Sequence, residues 1–200
     1  MQLILATRNA HKLHEIERIL GPQFVVRGLS HCDEVAEIDE SGSSYEENAR
    51  LKAVAASKQV PGLIIADDSG LEVDALGGAP GIHSARYAGE DASSKHKIAR
   101  LLSQLAEVDA KDEQRRARFR CVLALARAGR ILATFEGVVE GRIAERSRGS
   151  RGFGYDPIFI PNGFEETFAE LTEDMKNTIS HRAKAIRDLE AKLPTLCGEV

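Results

Sequence analysis

Residues 66–89, ADDSGLEVDALGGAPGIHSARYAG, decide how this chain is read. The apolar run Leu63-Ile64-Ile65-Ala66 reads as a short strand that ends in two adjacent carboxylates, Asp67 and Asp68, followed by Ser69-Gly70. Charge at the end of a buried strand costs desolvation unless a divalent cation or a bound ligand compensates it. The Gly/Pro-rich loop that follows suits close approach of backbone to a ligand. Asp, Ser and Gly are also ordinary turn residues, so this segment alone reads equally as an Asp-rich turn.

Outward from that stretch, strands and helices alternate. Residues 2–6 read as a first strand, and Thr7-Arg8-Asn9 supplies turn and N-cap chemistry. Leu13, Ile16, Ile19 and Leu20 form a helical stripe stopped by Gly21-Pro22. Phe24-Val25-Val26 is a second short strand, and residues 44–60 are Ala-rich and helical up to Pro61-Gly62. Asp91 is the expected cap of a helix carrying Ile98, Leu101, Leu102 and Leu105. Residues 117–127 and 131–139 then read as a hairpin turning at Ala128-Gly129-Arg130, with a further strand at 157–160. Ser180 is placed to cap a last helix with Ala183, Ile186, Leu189 and Leu193 facing inward. Helices on a mixed sheet imply an α/β fold, and without a linker or repeat any two lobes are expected to share one core.

The composition fits one soluble globular domain: 200 residues, 29% charged and 42% hydrophobic. No apolar run approaches the ~20 residues that span a bilayer, so no membrane partner is expected. The N-terminus reads as a strand rather than a signal peptide. Cys32, Cys121 and Cys197 lack metal-ligand spacing and a disulfide pattern, which points to a reducing cytoplasm. A net charge of −4 argues against a nucleic-acid partner, though not against a small anion in a local basic pocket.

Four constellations carry chemistry. Thr7-Arg8-Asn9-Ala10-His11-Lys12 sits where a strand turns into a helix, a place that favours anions, and Lys12 adds an ammonium. Glu40 lies in a loop before the helix bearing Glu46-Glu47-Asn48-Ala49 and Lys52. Together with Asp68 it would suffice for Mg²⁺, which needs one or two carboxylates with water and phosphate completing the shell. In Gly152-Phe153-Gly154-Tyr155-Asp156-Pro157 an aromatic between glycines suits stacking on a flat ligand, and Asp156 could accept from an N–H edge. In Lys176-Asn177-Thr178-Ile179-Ser180-His181-Arg182, the pair His181-Arg182 at a helix start opposes the macrodipole, and donors aimed at ligand oxygens would explain it.

In this order these elements resemble the inosine triphosphate pyrophosphatase family, the house-cleaning enzymes that hydrolyse dITP and XTP. The resemblance runs from Leu3 to about Leu193 through T-x-N-x-x-K (Thr7, Asn9, Lys12), E-N-A (Glu47 to Ala49), the block from Ala66 to Gly81, S-A-R-Y-A-G (Ser84 to Gly89), G-F-G-Y-D-P and S-H-R. Ser41 stands where the family more often has Thr in an E-T-G triplet, and it keeps the hydroxyl.

The resemblance implies an elongated α/β fold of two lobes with a nucleotide cleft between them, a homodimer, and Mg²⁺-dependent release of pyrophosphate from a purine nucleoside triphosphate. On it, Asp68 is general base and metal ligand, and Glu40 completes the protein ligands. Thr7, Arg8, Asn9, Ala10, His11 and Lys12 hold the triphosphate with Lys52 as a second cation, and Ser69 contacts substrate near the sugar or phosphates. Phe153 stacks on the base within Gly154 and Tyr155, while Asp156, Lys176, His181 and Arg182 read its edge. A non-catalytic nucleotide sensor would need the lysines and the stacking loop but not Asp68 and Glu40. A phosphohydrolase of ordinary nucleotides would not need the base-reading residues.

Overall fold

The computed structural model describes residues 1–29 and 41–198, so the expectations placed on Glu40 and Cys32 lie outside the described residues. The chain forms β1 (Gln2–Leu5), α1 (Ala10–Leu20), β2 (Val25–Gly28), α2 (Tyr45–Gln59), β3 (Ile64–Val73), α3 (Ser94–Glu107), β4 (Arg116–Arg127), β5 (Arg130–Ile143), β6 (Phe159–Pro161), α4 (Glu173–Ile179) and α5 (His181–Gly198). The strands form one six-stranded sheet in the order β2-β1-β3-β4-β5-β6. β1 is parallel to β2 and β3, and β6 is antiparallel to β5, which makes the sheet mixed, as expected.

Local chemistry explains most boundaries. Asn9 caps α1, which ends where Gly21 adopts φ 71°, a left-handed value open to a residue without Cβ. Ser44 caps α2 through the Glu47 N–H. Ala128 and Gly129, with φ 50° and 79°, turn β4 into β5 in the manner of a two-residue hairpin.

The boundaries that depart furthest from the sequence reading are those of β3, α3, β5 and the segment at 157. β3 does not stop at Ala66 but runs through Asp67, Asp68, Ser69 and Gly70 to Val73. α3 is capped by Ser93 rather than Asp91; either side chain can cap, and Ser93 Oγ is the one that accepts from the His96 N–H. β5 continues four residues past 139, to Ile143. Residues expected to open a strand at 157 form a single 3₁₀ turn, Asp156–Ile158, because Pro157 suits a first helical turn and gives no N–H to a ladder.

The chain divides into two compact units. Unit 1 comprises Met1–Asp68, Cys121–Gly137 and His181–Val200; unit 2 comprises Ser69–Arg120 and Val138–Ser180. Unit 1 buries Leu3, Leu5, Ile16, Leu63, Ile65, Cys121, Leu123, Phe135, Ile186 and Leu189 in one apolar cluster. Unit 2 buries another around Leu71, Leu101, Leu105, Phe119, Ile158, Phe159 and Phe168. Each unit thus has an apolar cluster of its own among the described residues. Among the described residues no helix is long and apolar enough to cross a membrane.

Candidate active site

In unit 1 the turn before α1 is organised by its own side chains. Thr7 Oγ1 accepts from the Asn9 N–H at 3.1 Å. Asn9 Oδ1 accepts from the N–H groups of His11 (2.9 Å) and Lys12 (3.2 Å). Arg8, Ala10 and His11 are exposed, whereas Lys12 is half-buried because its ammonium folds back onto Asp67. The cap occupies two of the helix-terminal N–H groups, so the Lys12 ammonium and the dipole carry most of this turn's attraction for an anion.

Asp67 and Asp68 are both buried inside β3. Adjacent residues of a strand point to opposite sides, so the two carboxylates meet different surroundings. Asp67 receives the Lys12 ammonium, the Arg182 Nε–H at 3.1 Å and the Cys121 thiol at 3.1 Å. Burial by itself would push its carboxyl up; the charges of Lys12 and Arg182, then Lys52, outweigh that and hold it well below the usual carboxylate range. Burial beside the Asp67 charge pushes the Cys121 thiol well up, so it stays a protonated donor.

Asp68 is approached from α2. Lys52 Nζ lies 3.2 Å from Asp68 Oδ1 and 2.7 Å from the Asp67 carbonyl oxygen. Asn48 Nδ2 donates to Asp68 Oδ2 at 3.2 Å. Both donors sit on one face of the helix because they are four residues apart.

The first residues of α5 enter the Asp67 side. The Arg182 guanidinium is 2% exposed and also donates to Glu15 Oε2 at 2.8 Å. Burial would strip its proton, but the Asp67 and Glu15 charges raise its affinity for that proton well above the usual arginine value. A cation at this helix start is thus balanced by two buried carboxylates, which answers the conflict with the macrodipole. His181 is buried beside it, and its carbonyl lies against Gly137 of β5 so closely that a Cβ there would overlap it.

Unit 2 carries a second polar cluster. Asp156 Oδ2 accepts from Lys176 Nζ at 2.7 Å and from the Phe153 N–H at 2.8 Å. The Lys176 ammonium also sits 5.0 Å from the Phe153 ring centroid and 5.7 Å from that of Phe168, within cation–π range. Gly152, at φ 73°, leaves room for the Asp156 carboxylate where a Cβ would overlap it. Tyr155 donates its hydroxyl to the Ser84 carbonyl at 3.1 Å. Ser84 Oγ in turn accepts from the Leu71 N–H at 2.9 Å, so this part of the S-A-R-Y-A-G run braces β3.

Lys12, Lys52, Asp68, His181 and Arg182 therefore fall in unit 1, and Ser69, Phe153, Gly154, Tyr155, Asp156 and Lys176 in unit 2. Glu15 and Cys121 have no site role in the sequence reading, Asn48 stands there only within the E-N-A motif, and Asp67 only as one of the two acids that end the apolar run. Spacing held the signal for two of them: Glu15 is three residues from Lys12 within the apolar face of α1, and Asn48 is four from Lys52. Among the described residues no group of three or more His, Cys, Asp or Glu gathers as a metal cage.

Fold and clusters define an α/β protein that keeps carboxylate and ammonium groups buried side by side in its sheet. The sequence matches the Ham1 family over residues 3–192, and the chain belongs to that family. It is 49% identical over 193 residues to the dITP/XTP pyrophosphatase of Bacillus subtilis (strain 168), covering 96% of each chain. It is 46% identical over 200 residues to the dITP/XTP pyrophosphatase of Exiguobacterium sibiricum, covering all of both. The structure of a HAM1 protein from Coxiella burnetii matches with a TM-score of 0.86 and 39% identity over 98% of this chain and 99% of that one. The Staphylococcus aureus Ham1 protein matches at 0.84 and 41%, with the same coverage. The resemblance read from the motifs is borne out.

Proposed function

We propose that this chain is a nucleoside triphosphate pyrophosphatase of deaminated purines, converting dITP, ITP, XTP and dXTP to the monophosphate and pyrophosphate with Mg²⁺. Such an activity clears these nucleotides before they enter DNA or RNA. The observation that carries the reading is Asp68, a buried carboxylate held between an ammonium and an amide in a chain of this family.

Asp68 is a hard oxygen donor and fits Mg²⁺, which takes one or two carboxylates and fills its shell with water and phosphate. Glu40 is the second protein ligand in this reading. When bound, the ion offsets negative charge on the phosphoryl oxygens. Asp68 accepts a proton from the attacking water as its oxygen bonds to the α-phosphorus. The bond from that phosphorus to the α,β-bridging oxygen breaks, and pyrophosphate leaves. Lys12 and Lys52 bind triphosphate oxygens within the turn from Thr7 to Lys12, and Ser69 contacts the substrate nearby.

Phe153 stacks on the base, with Asp156 and Lys176 reading its edge; the Asp156 bond to the Phe153 N–H supports that loop. His181 and Arg182 favour a 6-oxo group in this reading, since hypoxanthine and xanthine present an acceptor there and adenine a 6-amino donor. The chain acts as a homodimer in the cytoplasm, on a small molecule rather than on nucleic acid or membrane.

Incubation with Mg²⁺ and, separately, dITP, XTP, dATP, dGTP and dTTP tests this reading. Monophosphate and pyrophosphate from dITP and XTP alone is the expected result. Diphosphate and orthophosphate would place the cut elsewhere, equal turnover of dATP or dGTP would overturn the substrate class, and no turnover would favour a sensor.

A further inference from the structure

We propose that Asn48 is a positioning residue that fixes the orientation of the Asp68 carboxylate, an inference that rests on Asp68 being the general base. The Asn48 side chain is fully buried in α2 and works at both ends. Its Oδ1 accepts from the Gly42 N–H at 2.8 Å, and its Nδ2 donates to Asp68 Oδ2 at 3.2 Å. A backbone N–H can only donate and an ionised carboxylate can only accept, so the two partners fix which way the amide points. A carboxylate at this position would set oxygen against oxygen, and an apolar side chain would lose both bonds.

The other oxygen of Asp68 is held by Lys52, 3.2 Å from Oδ1, one turn further along α2. The two donors divide the work differently. Lys52 is a charge beside the site of phosphate chemistry. Asn48 is neutral, so it adds only the local dipole of one N–H, and its main contribution is to the orientation of the carboxylate. A base must be aligned on the water whose proton it takes, and small misplacements are costly in rate.

Gly42 is the outer half of this arrangement. A Cβ on Gly42 would lie 2.6 Å from Asn48 Oδ1 and 3.0 Å from the Asn48 nitrogen. Alanine at position 42 therefore displaces the amide without changing Asn48 itself. Two substitutions on different segments, Asn48→Ala and Gly42→Ala, thus converge on one carboxylate.

The experiment compares steady-state kinetics on dITP and thermal unfolding for Asn48→Ala, Asn48→Asp, Gly42→Ala, the double variant Asn48→Ala/Gly42→Ala, Asp68→Asn and Ser44→Ala. Ser44→Ala serves as control because it weakens the cap of the same helix without touching Asp68. A residue that orients a reacting group through one hydrogen bond is expected to cost ~10–100-fold in kcat. That loss is expected in both Asn48 variants and in Gly42→Ala, with KM nearly unchanged. The double variant should lose no more than Asn48→Ala alone, because both remove the same constraint.

Asn48 variants with full kcat beside an inactive Asp68→Asn would overturn the inference while leaving Asp68 in its role. So would a rise in KM at constant kcat, additive losses in the double variant, or a kcat loss no larger than that of Ser44→Ala at equal loss of Tm. Turnover by Asp68→Asn would instead remove the general base itself. Should Asn48→Ala fail to fold, Gly42→Ala alone still decides, since it must lose kcat with Asn48 in place.

Discussion

Asp67 and Asp68 are consecutive residues of one strand whose side chains have different partners. Asp67 is held by Lys12, Cys121 and Arg182, Asp68 by Asn48 and Lys52. Strand alternation alone produces the division, sending one carboxylate toward α1 and α5 and the other toward α2. One acid thereby faces two cations, Lys12 and Arg182, while its neighbour is clamped by a neutral amide and the buried ammonium of Lys52.

The same isosteric change at these two positions should weigh differently on activity and stability. Asp68→Asn is expected to lose ~10²–10⁴-fold in kcat, the usual worth of a general base, with the fold retained. Asp67→Asn removes the charge facing buried Arg182 and half-buried Lys12, and breaking a buried pair costs about 3–5 kcal/mol. Thermal unfolding and kcat measured on both variants check the assignment. Equal stability losses, or activity surviving in Asp68→Asn, would refute it.

Stability should fall at alkaline pH. Cys121 has its thiol pushed well above the usual range by burial and then by the Asp67 charge, and burial raises the Tyr155 hydroxyl too. In the unfolded chain these groups lose protons near the ordinary values of about 8.5 and about 10, while the folded chain still holds them. Above those values the unfolded state binds fewer protons, so stability is full below them and declines as pH rises. Urea unfolding from pH 7 to 10 should show the decline. Cys121→Ala should flatten its first part, and an unchanged slope would exclude the thiol as its source.

Much of this architecture is legible locally. The stripe Leu13, Ile16, Ile19 and Leu20, the Ser44 cap, the Ala128-Gly129 turn and the inward face of α5 follow from periodicity and turn chemistry. The extent of β3 does not. Asp-Asp-Ser-Gly ends strands when its charges must reach water, and here it continues one because Lys12, Lys52 and Arg182, 55, 15 and 115 residues away in sequence from Asp67, neutralise it inside the protein. α4 has seven residues and begins with Glu173 and Asp174, too short and polar to announce itself. Asp68 stands out as a site because of its neighbours in sequence, whereas Cys121 matters through a contact that only folding creates.

In unit 2, Lys176→Met should act on Phe153 through Asp156. The ammonium is 2.7 Å from Asp156 Oδ2 and over the Phe153 ring, so its loss takes a cation from the buried carboxylate that also accepts from the Phe153 N–H. The loop should loosen and the KM for dITP should rise more than kcat falls. Asp156→Asn keeps the shape and should show a milder form of the same change. A KM untouched in both variants would remove this cluster from base recognition.

Gly137 should prove as sensitive as a site residue although it has no side chain. A Cβ there would overlap the His181 carbonyl oxygen and lie 2.7 Å from the Ala185 nitrogen, and neither backbone atom can swing aside as a side-chain tip could. Gly137→Ala must therefore push the first turn of α5 away from β5. That turn carries Arg182, whose bonds to Asp67 (3.1 Å) and Glu15 (2.8 Å) leave little slack before they break. Overpacking of this kind costs about 1–3 kcal/mol, so Tm should drop. Because His181 and Arg182 move with the backbone, the preference for dITP over dATP should fall as well. Gly137→Ala with wild-type Tm and selectivity would mean that α5 tolerates displacement and that base reading does not depend on where its first turn sits.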